Sequence, residues 1–320
     1  MKYRACLLAV LLAEALTLPV SAVAVTVTPQ DDSDNAAPIA EHLTLSTYRD
    51  VAISSRFAAV DPDGDPVTFQ IVDSPARGQV TVDETDSAAF WYTPYEGKKG
   101  KDSFTYVAVD SAGNVSQPAT VNITIEKQST KVFYADMQGD AAHYAALRLA
   151  EREVYVGRQL GQLYYFDPQQ AFSREEFLAM AMSVAGSDPL QDVSMTGFYD
   201  DTSIPSWAKG YVSAALMSGT VRGSYNEQDQ IVFNSGSPIT VAEAAVIIDR
   251  LLNVGDVAVE TSATGVVPAW ASQSAANMET VSVLPAQASL TDTLTRAQGA
   301  QMLCAMQDVL DSREDSGWFW

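Results

Sequence analysis

The chain has 320 residues, a formal net charge of −21 and 47% hydrophobic residues. That length fits two or three domains, and that apolar content supplies packed cores, which excludes a disordered tail. The acidity argues against nucleic acid and anionic membrane surfaces as partners, because both need basic patches, and it leaves any anionic polymer to be bound by a few well-placed cations.

Residues 1–24 read as a signal peptide. Lys2 and Arg4 give the positive start, Cys6 to Val20 the apolar run, and Ser21-Ala22-Val23-Ala24 the small residues behind which a signal peptidase cuts. Glu14 inside the run is unusual. The competing reading is a retained anchor, but the run is short for a membrane span, and no later stretch is long and apolar enough for one. Removing the leader takes Cys6 away and leaves Cys304 as a small core residue, so no internal disulfide is expected. Residues 25–36 are a polar linker around Gln30-Asp31-Asp32-Ser33-Asp34-Asn35, and residues 312–320 form a tail without a sorting signal.

Over 37–127 the hydrophobic period is two. Val67-Thr68-Phe69-Gln70-Ile71, Gln79-Val80-Thr81-Val82, the stretch 103–109 and the stretch 120–125 alternate, and turn residues such as Asp63-Gly64-Asp65-Pro66 separate them. This predicts an antiparallel β-sandwich.

After Lys127 the period becomes helical, with helices expected over 141–154, 174–184, 208–217, 242–252, 269–278 and 296–310. They fall into three pairs. The first helix of each opens on Tyr144-Ala145, Trp207-Ala208 or Trp270-Ala271. The second opens on Phe172-Ser173-Arg174-Glu175-Glu176, Ile239-Thr240-Val241-Ala242-Glu243 or Leu294-Thr295-Arg296-Ala297-Gln298. Pairs one and two also begin alike, with Phe133-Tyr134-Ala135-Asp136 and Phe198-Tyr199-Asp200-Asp201. One helix pair cannot bury its own apolar face, so the three must share a core.

These openings, with Gly219, Gly223 and Phe233 in the second pair, resemble S-layer homology repeats over 132–186, 198–253 and 256–311, the third degenerate. The resemblance implies an all-α three-repeat bundle. It also implies non-covalent binding to a secondary cell-wall polymer, often ketal-pyruvylated, in grooves between repeats. Residues 37–127 resemble the cadherin-like or Ig-like modules of bacterial surface proteins, through Asp61-Pro62-Asp63-Gly64-Asp65-Pro66, Phe90-Trp91-Tyr92-Thr93-Pro94 and Asp102-Ser103-Phe104-Thr105-Tyr106. Such modules act as spacers or adhesive units.

Ser173 with Glu176, Thr240 with Glu243, and Thr295 with Gln298 are capping boxes, each behind an apolar staple, and need no ligand to explain them. Arg174 and Arg296 differ. A cation at the first helical position opposes the dipole unless an anion is held there by backbone amides and guanidinium together, which favours ligand contact over a plain surface arginine. Val241 replaces arginine in the second repeat, so that groove is either dead or supplied by Arg222 or Lys209; Arg158 is a further candidate. Trp207, Trp270 and Tyr144 could stack on sugar, though the core reading carries more weight for a repeated aromatic at a helix start. Gly219 and Gly223 read as helix closers that also permit close backbone approach.

Asp61, Asp63 and Asp65, joined by Asp102 and Asp110, could supply carboxylates to calcium; the alternative is an Asp-Gly turn. His42 and His143 stand apart from any nucleophile, nucleotide or zinc motif, and no enzyme activity is expected. The sequence therefore predicts an exported, wall-anchored surface protein displaying a β-sandwich. The alternative is a minor surface-layer component or adhesin making calcium-dependent contacts with surface-protein neighbours.

Overall fold

The computed structural model describes residues 35–285 and 287–315. The expected signal peptide, the linker up to residue 34 and residues 316–320 of the tail lie outside them.

Strands β1 (Ile39–Ala40), β2 (Leu43–Tyr48), β3 (Ile53–Arg56), β4 (Ala59–Val60), β5 (Thr68–Asp73), β6 (Gly78–Val82), β7 (Ala89–Pro94), β8 (Gly100–Val109) and β9 (Ala119–Glu126) build a sandwich. One sheet has the order β2-β9-β8-β5, the other β3-β7-β6, and β1 pairs with β4. The alternating residues Val121, Ile123 and Ile125 of β9 point inward against Phe90, Tyr92, Phe104 and Tyr106. One expectation is corrected: β2 runs parallel to β9. After β2 the chain turns at Asp50, which has φ of 65°, and enters the opposite sheet as β3. No hairpin therefore forces β2 to oppose its neighbour.

The rest is helical: α1 (His143–Glu151), α2 (Arg174–Val184), α3 (Ser206–Ser218), α4 (Val241–Leu252), α5 (Ser272–Thr280) and α6 (Arg296–Asp315). α1 is shorter than its periodicity predicts, and α5 starts after Trp270-Ala271 rather than before them. Between the paired helices run two hairpins the hydrophobic period did not reveal. They are β10 (Arg158–Leu160) with β11 (Leu163–Tyr165), and β12 (Ser224–Tyr225) with β13 (Ile231–Val232).

The three segments that open α2, α4 and α6 meet each other. Isolated bridges join Ala171 to Thr295, Ser173 to Pro238 and Thr240 to Thr293. The Ile239 amide donates to the Phe172 carbonyl at 3.1 Å, and the Leu294 amide to the Ile239 carbonyl at 2.8 Å. Phe172, Ile239 and Leu294 are fully buried at this junction. The three helix pairs thus share one core, as units that cannot stand alone must.

The opening motif carries a register correction. The Asp136 carboxylate accepts the amides of Phe166 and Asp167, and the Asp200 carboxylate accepts those of Phe233 and Asn234. These aspartates are therefore equivalent, and Tyr134, not Phe133, matches Phe198. Tyr134 and Phe198 are buried, whereas Phe133 is 55% exposed. Each aspartate staples the start of its repeat to the strand-end backbone of its own hairpin.

The two halves abut. Tyr48 and Val51 pack into the helical core, and the Tyr48 ring lies 5.3 Å from that of Tyr144. The Glu151 carboxylate accepts the Ser129 and Thr130 amides at 2.7 and 2.9 Å, clamping the connecting segment onto α1.

Candidate functional site

All three capping boxes have their reciprocal hydrogen bonds. Ser173, Thr240 and Thr295 accept from the third-position amides, and Glu176, Glu243 and Gln298 accept the cap amides in return. The first-position amides are not open to a ligand. Arg174 N donates to Ser237 O at 3.0 Å, Val241 N to Asp292 O at 3.0 Å and Arg296 N to Gln170 O at 2.7 Å. The expectation that helix-end amides and guanidinium grip an anion together is therefore corrected, because neighbouring repeats already use those amides. Any anion must be held by side chains.

Those side chains converge in one place. A groove of about 580 Å³ is lined by Arg174 from α2, Thr220, Val221, Arg222, Gly223 and Ser224 after α3, Glu243, Val246, Ile247 and Arg250 from α4, and Trp270 before α5. It draws on all three repeats. Arg174 lies over the Phe233 ring at 5.6 Å and pairs with Glu243 Oε1 at 2.5 Å. Its Nε is buried without a partner. Arg250 donates to the Thr220 carbonyl at 3.0 Å. Burial and then the charge of Arg222 push its pKa below the ordinary guanidinium value, against the pull of Asp249. Arg222 is exposed and has no ion-pair partner among the described residues. Three guanidiniums thus face one carboxylate, in a chain whose net charge is −21.

The aromatic at the groove departs from the favoured core reading. Trp270 is 61% exposed and Trp207 is 53% exposed, while the alanine after each is fully buried. The small residue, not the indole, seats the helix start against the core. Trp207 lies outside this groove. Tyr144 is partly buried against the sandwich. Gly223 has φ of 75°, and a Cβ there would meet Val232 O at 2.7 Å and Phe198 Cε1 at 2.6 Å, so its hairpin needs glycine. Gly219 is a left-handed C-cap and does not line the groove.

The corresponding places at the other two junctions are different. Around Val241 lies a pocket of about 260 Å³ that contains Asp292 and Gln298 but no basic side chain. Arg222 faces the Arg174 groove rather than this one. Lys209 is held by Asp201 at 2.6 Å and by the Ser194 carbonyl at 2.9 Å. At the third junction Arg296 stacks over Tyr155 and Phe172, each at 5.8 Å. Its Nη1 lies 3.5 Å from Asp167, which also pairs with Arg158. Burial raises the Tyr155 phenol, and the charges bearing on it are Arg296, Glu176 and Asp167. Here two cations share one carboxylate, and the Arg296 Nε is buried without a partner, as the Arg174 Nε is.

Arg250 is the groove residue that motif reading missed. It stands seven positions after Glu243, two turns along the same face of α4, and that spacing was the available signal.

The aspartates divide. Asp102 is at the start of β8 and Asp110 follows its end, so the strand separates them. The Asp102 carboxylate accepts the Ala76 and Arg77 amides at 2.9 Å and the Tyr92 hydroxyl at 2.7 Å, which pins the turn before β6 to β8. Asp102 therefore leaves the expected metal set and holds the sandwich closed. Asp61 Oδ1 accepts the Asp63 and Asp65 amides, Asp63 accepts the Ala36 amide, and Asp110 accepts from Asn114 and Asn35. Asp61 Oδ2 and Asn35 Oδ1 are buried without partners. Among the described residues no three His, Cys, Asp or Glu side chains are grouped to hold a metal ion. His42 Nδ1 accepts the Thr120 amide at 2.9 Å, and burial lowers the pKa of His143. No helix of the described residues is long and apolar enough to cross a membrane.

Comparison with known proteins bears on the first half. No curated protein matches the chain. Among solved structures, an endo-fucoidan hydrolase of glycoside hydrolase family 107 is similar at 18% identity and a TM-score of 0.25, over 31% of this chain and 14% of that one. The chain thus spans a small part of that hydrolase. A mutant SrpA adhesin from Streptococcus sanguinis matches at 17% identity and a TM-score of 0.25, over 39% of this chain and 83% of that one. The D00-D0 domain of intimin matches at 18% identity and a TM-score of 0.24, over 30% and 50%. Residues 35–124 match the bacterial Ig domain family, so the sandwich is a bacterial Ig-like domain.

Proposed function

We propose that this is an exported bacterial surface protein whose helical half holds it non-covalently on cell-wall polysaccharide, with the Ig-like domain as a spacer or binding unit. The observation that carries this is the groove. Arg174, Arg222 and Arg250 outnumber Glu243 beside an exposed Trp270, in a strongly acidic chain. Guanidiniums recognise planar acid groups and an exposed indole stacks on a sugar face, so the fitting ligand is an acidic saccharide. The resemblance to S-layer homology repeats makes that saccharide a secondary wall polymer, a pyruvyl ketal being one source of the acid. The Val241 junction lacks cations, and at the third junction Arg296 shares Asp167 with Arg158, so the Arg174 groove, with three cations and an exposed indole, is the principal anchoring site of this reading. No catalytic step belongs to this reading.

The test is retention of the full chain on purified walls before and after extraction of the secondary polymer. Retention that disappears with the polymer is expected. A folded chain that never binds walls contradicts anchoring.

A second reading concerns calcium at the far end of the sandwich, as in a surface-layer component bridged to its neighbours. The two unpartnered buried oxygens, Asp61 Oδ2 and Asn35 Oδ1, favour it, Asn35 also donating to the Asp110 carboxylate. Calcium is then expected to raise the thermal midpoint of the wild type but not of Asp61→Asn. Equal midpoints with and without calcium in the wild type contradict it.

A further inference from the structure

We infer that the Arg174 groove is built for a saccharide that brings two negative charges into one site; the inference rests on the anion-groove reading above. The charge balance inside the groove is the argument. Arg174 already has an internal counter-charge, Glu243 Oε1 at 2.5 Å. Arg250 has only a neutral acceptor, the Thr220 carbonyl at 3.0 Å. Asp249, its chain neighbour, acts on it only through space: its carboxylate accepts from Ser274 Oγ at 2.7 Å and Asn277 Nδ2 at 3.1 Å and makes no ion pair with Arg250 among the described residues. Arg222 has no ion-pair partner among the described residues. Two guanidiniums in the same groove are thus without an ion-pair partner among the described residues.

Their mutual repulsion is present in the free protein. Burial first, and the charge of Arg222 second, lower the pKa of Arg250, while the charge of Asp249 raises it. One carboxylate would relieve one of the two cations and leave the other beside it unmatched. Two acid charges relieve both, and each gains charge-assisted hydrogen bonds in a partly water-excluded cleft. Two chemistries supply such a pair: a phosphate monoester on one sugar, or carboxylates on adjacent sugars.

The experiment is calorimetric titration of the full chain with four probes at low ionic strength, where surface electrostatics is least screened. They are N-acetylglucosamine, galacturonate, digalacturonate and N-acetylglucosamine 6-phosphate. At least one of the two doubly charged probes should bind about tenfold or more tightly than galacturonate, the scale of one further ion pair in a partly buried site. The arm that does so separates paired carboxylates from phosphate. Arg222→Gln, a change at an exposed side chain, should remove that advantage and bring the doubly charged probes to within about twofold of galacturonate on the same variant. If phosphate is the better arm, acidifying from about pH 7.5 to about pH 5 should erase its lead, because its second ionisation lies near 6. Galacturonate binding as tightly as both doubly charged probes would overturn the inference and leave the anion groove standing. No binding of any acidic probe, by protein that walls still retain, would overturn the groove reading as well.

Discussion

Asp102 and Asp61 look alike in the chain, yet their surroundings give them different work. Asp102 sits under three donors, the Ala76 and Arg77 amides and the Tyr92 hydroxyl, and is almost buried. Burial and the Asp102 carboxylate hold the Tyr92 hydroxyl in its protonated, donating form. Asp102→Asn replaces one acceptor oxygen with a donor that faces donors. It should lower stability by about 2 kcal/mol, read from chemical unfolding, with no change in wall binding. A variant as stable as wild type would contradict this structural role. The two tryptophans teach a related lesson. A Trp-Ala step at a helix start signals a core position, but the step does not say which residue fills it. Ala208 and Ala271 are buried, and Trp207 and Trp270 face outward. Arg250 was hidden for another reason: it carries no motif, and its partners are long-range.

At the scale of elements, the second helix of each pair was legible because capping is local chemistry. A hydroxyl, a Glu or Gln three residues on, and a preceding apolar residue suffice to set the start of α2, α4 and α6. The hairpins were not legible, since strands of two or three residues leave no period to read. Their positions depend on Asp136 and Asp200 reaching backbone amides about thirty residues away. That is also why the Phe133 register misled: the burial of Tyr134 follows from the aspartate, not from the first aromatic. Element stability should also show in acid. Lys209 first, then the Thr196 amide, hold Asp201 down to about 2, at the single helical turn before α3. A carboxylate depressed in the folded state contributes stability above its unfolded value near 3.8, and that contribution is lost as pH falls through about 2. The thermal midpoint of wild type should therefore drop more between pH 4 and pH 2 than that of Lys209→Met. Parallel profiles would contradict the pairing.

At the scale of the whole molecule, two features combine. Glu151 clamps the segment between the halves, and Tyr48 and Val51 pack into the helical core, so the Ig-like domain is seated on α1 rather than loosely tethered. The three helix pairs meet where their entry segments bridge one another, yet the pockets beside those entries differ in charge. Repetition was visible in the sequence; divergence became visible when Arg222, Arg250 and Trp270 met Arg174 around one groove. The central claim is that this groove is the principal grip on the wall. It is tested most directly by comparing retention on purified walls of wild type, Arg222→Gln/Arg250→Gln and Arg296→Gln, each confirmed as folded by its melting curve. The account predicts that the double variant loses about tenfold or more in affinity while Arg296→Gln binds like wild type. Loss of retention in Arg296→Gln, with the double variant unaffected, would contradict it.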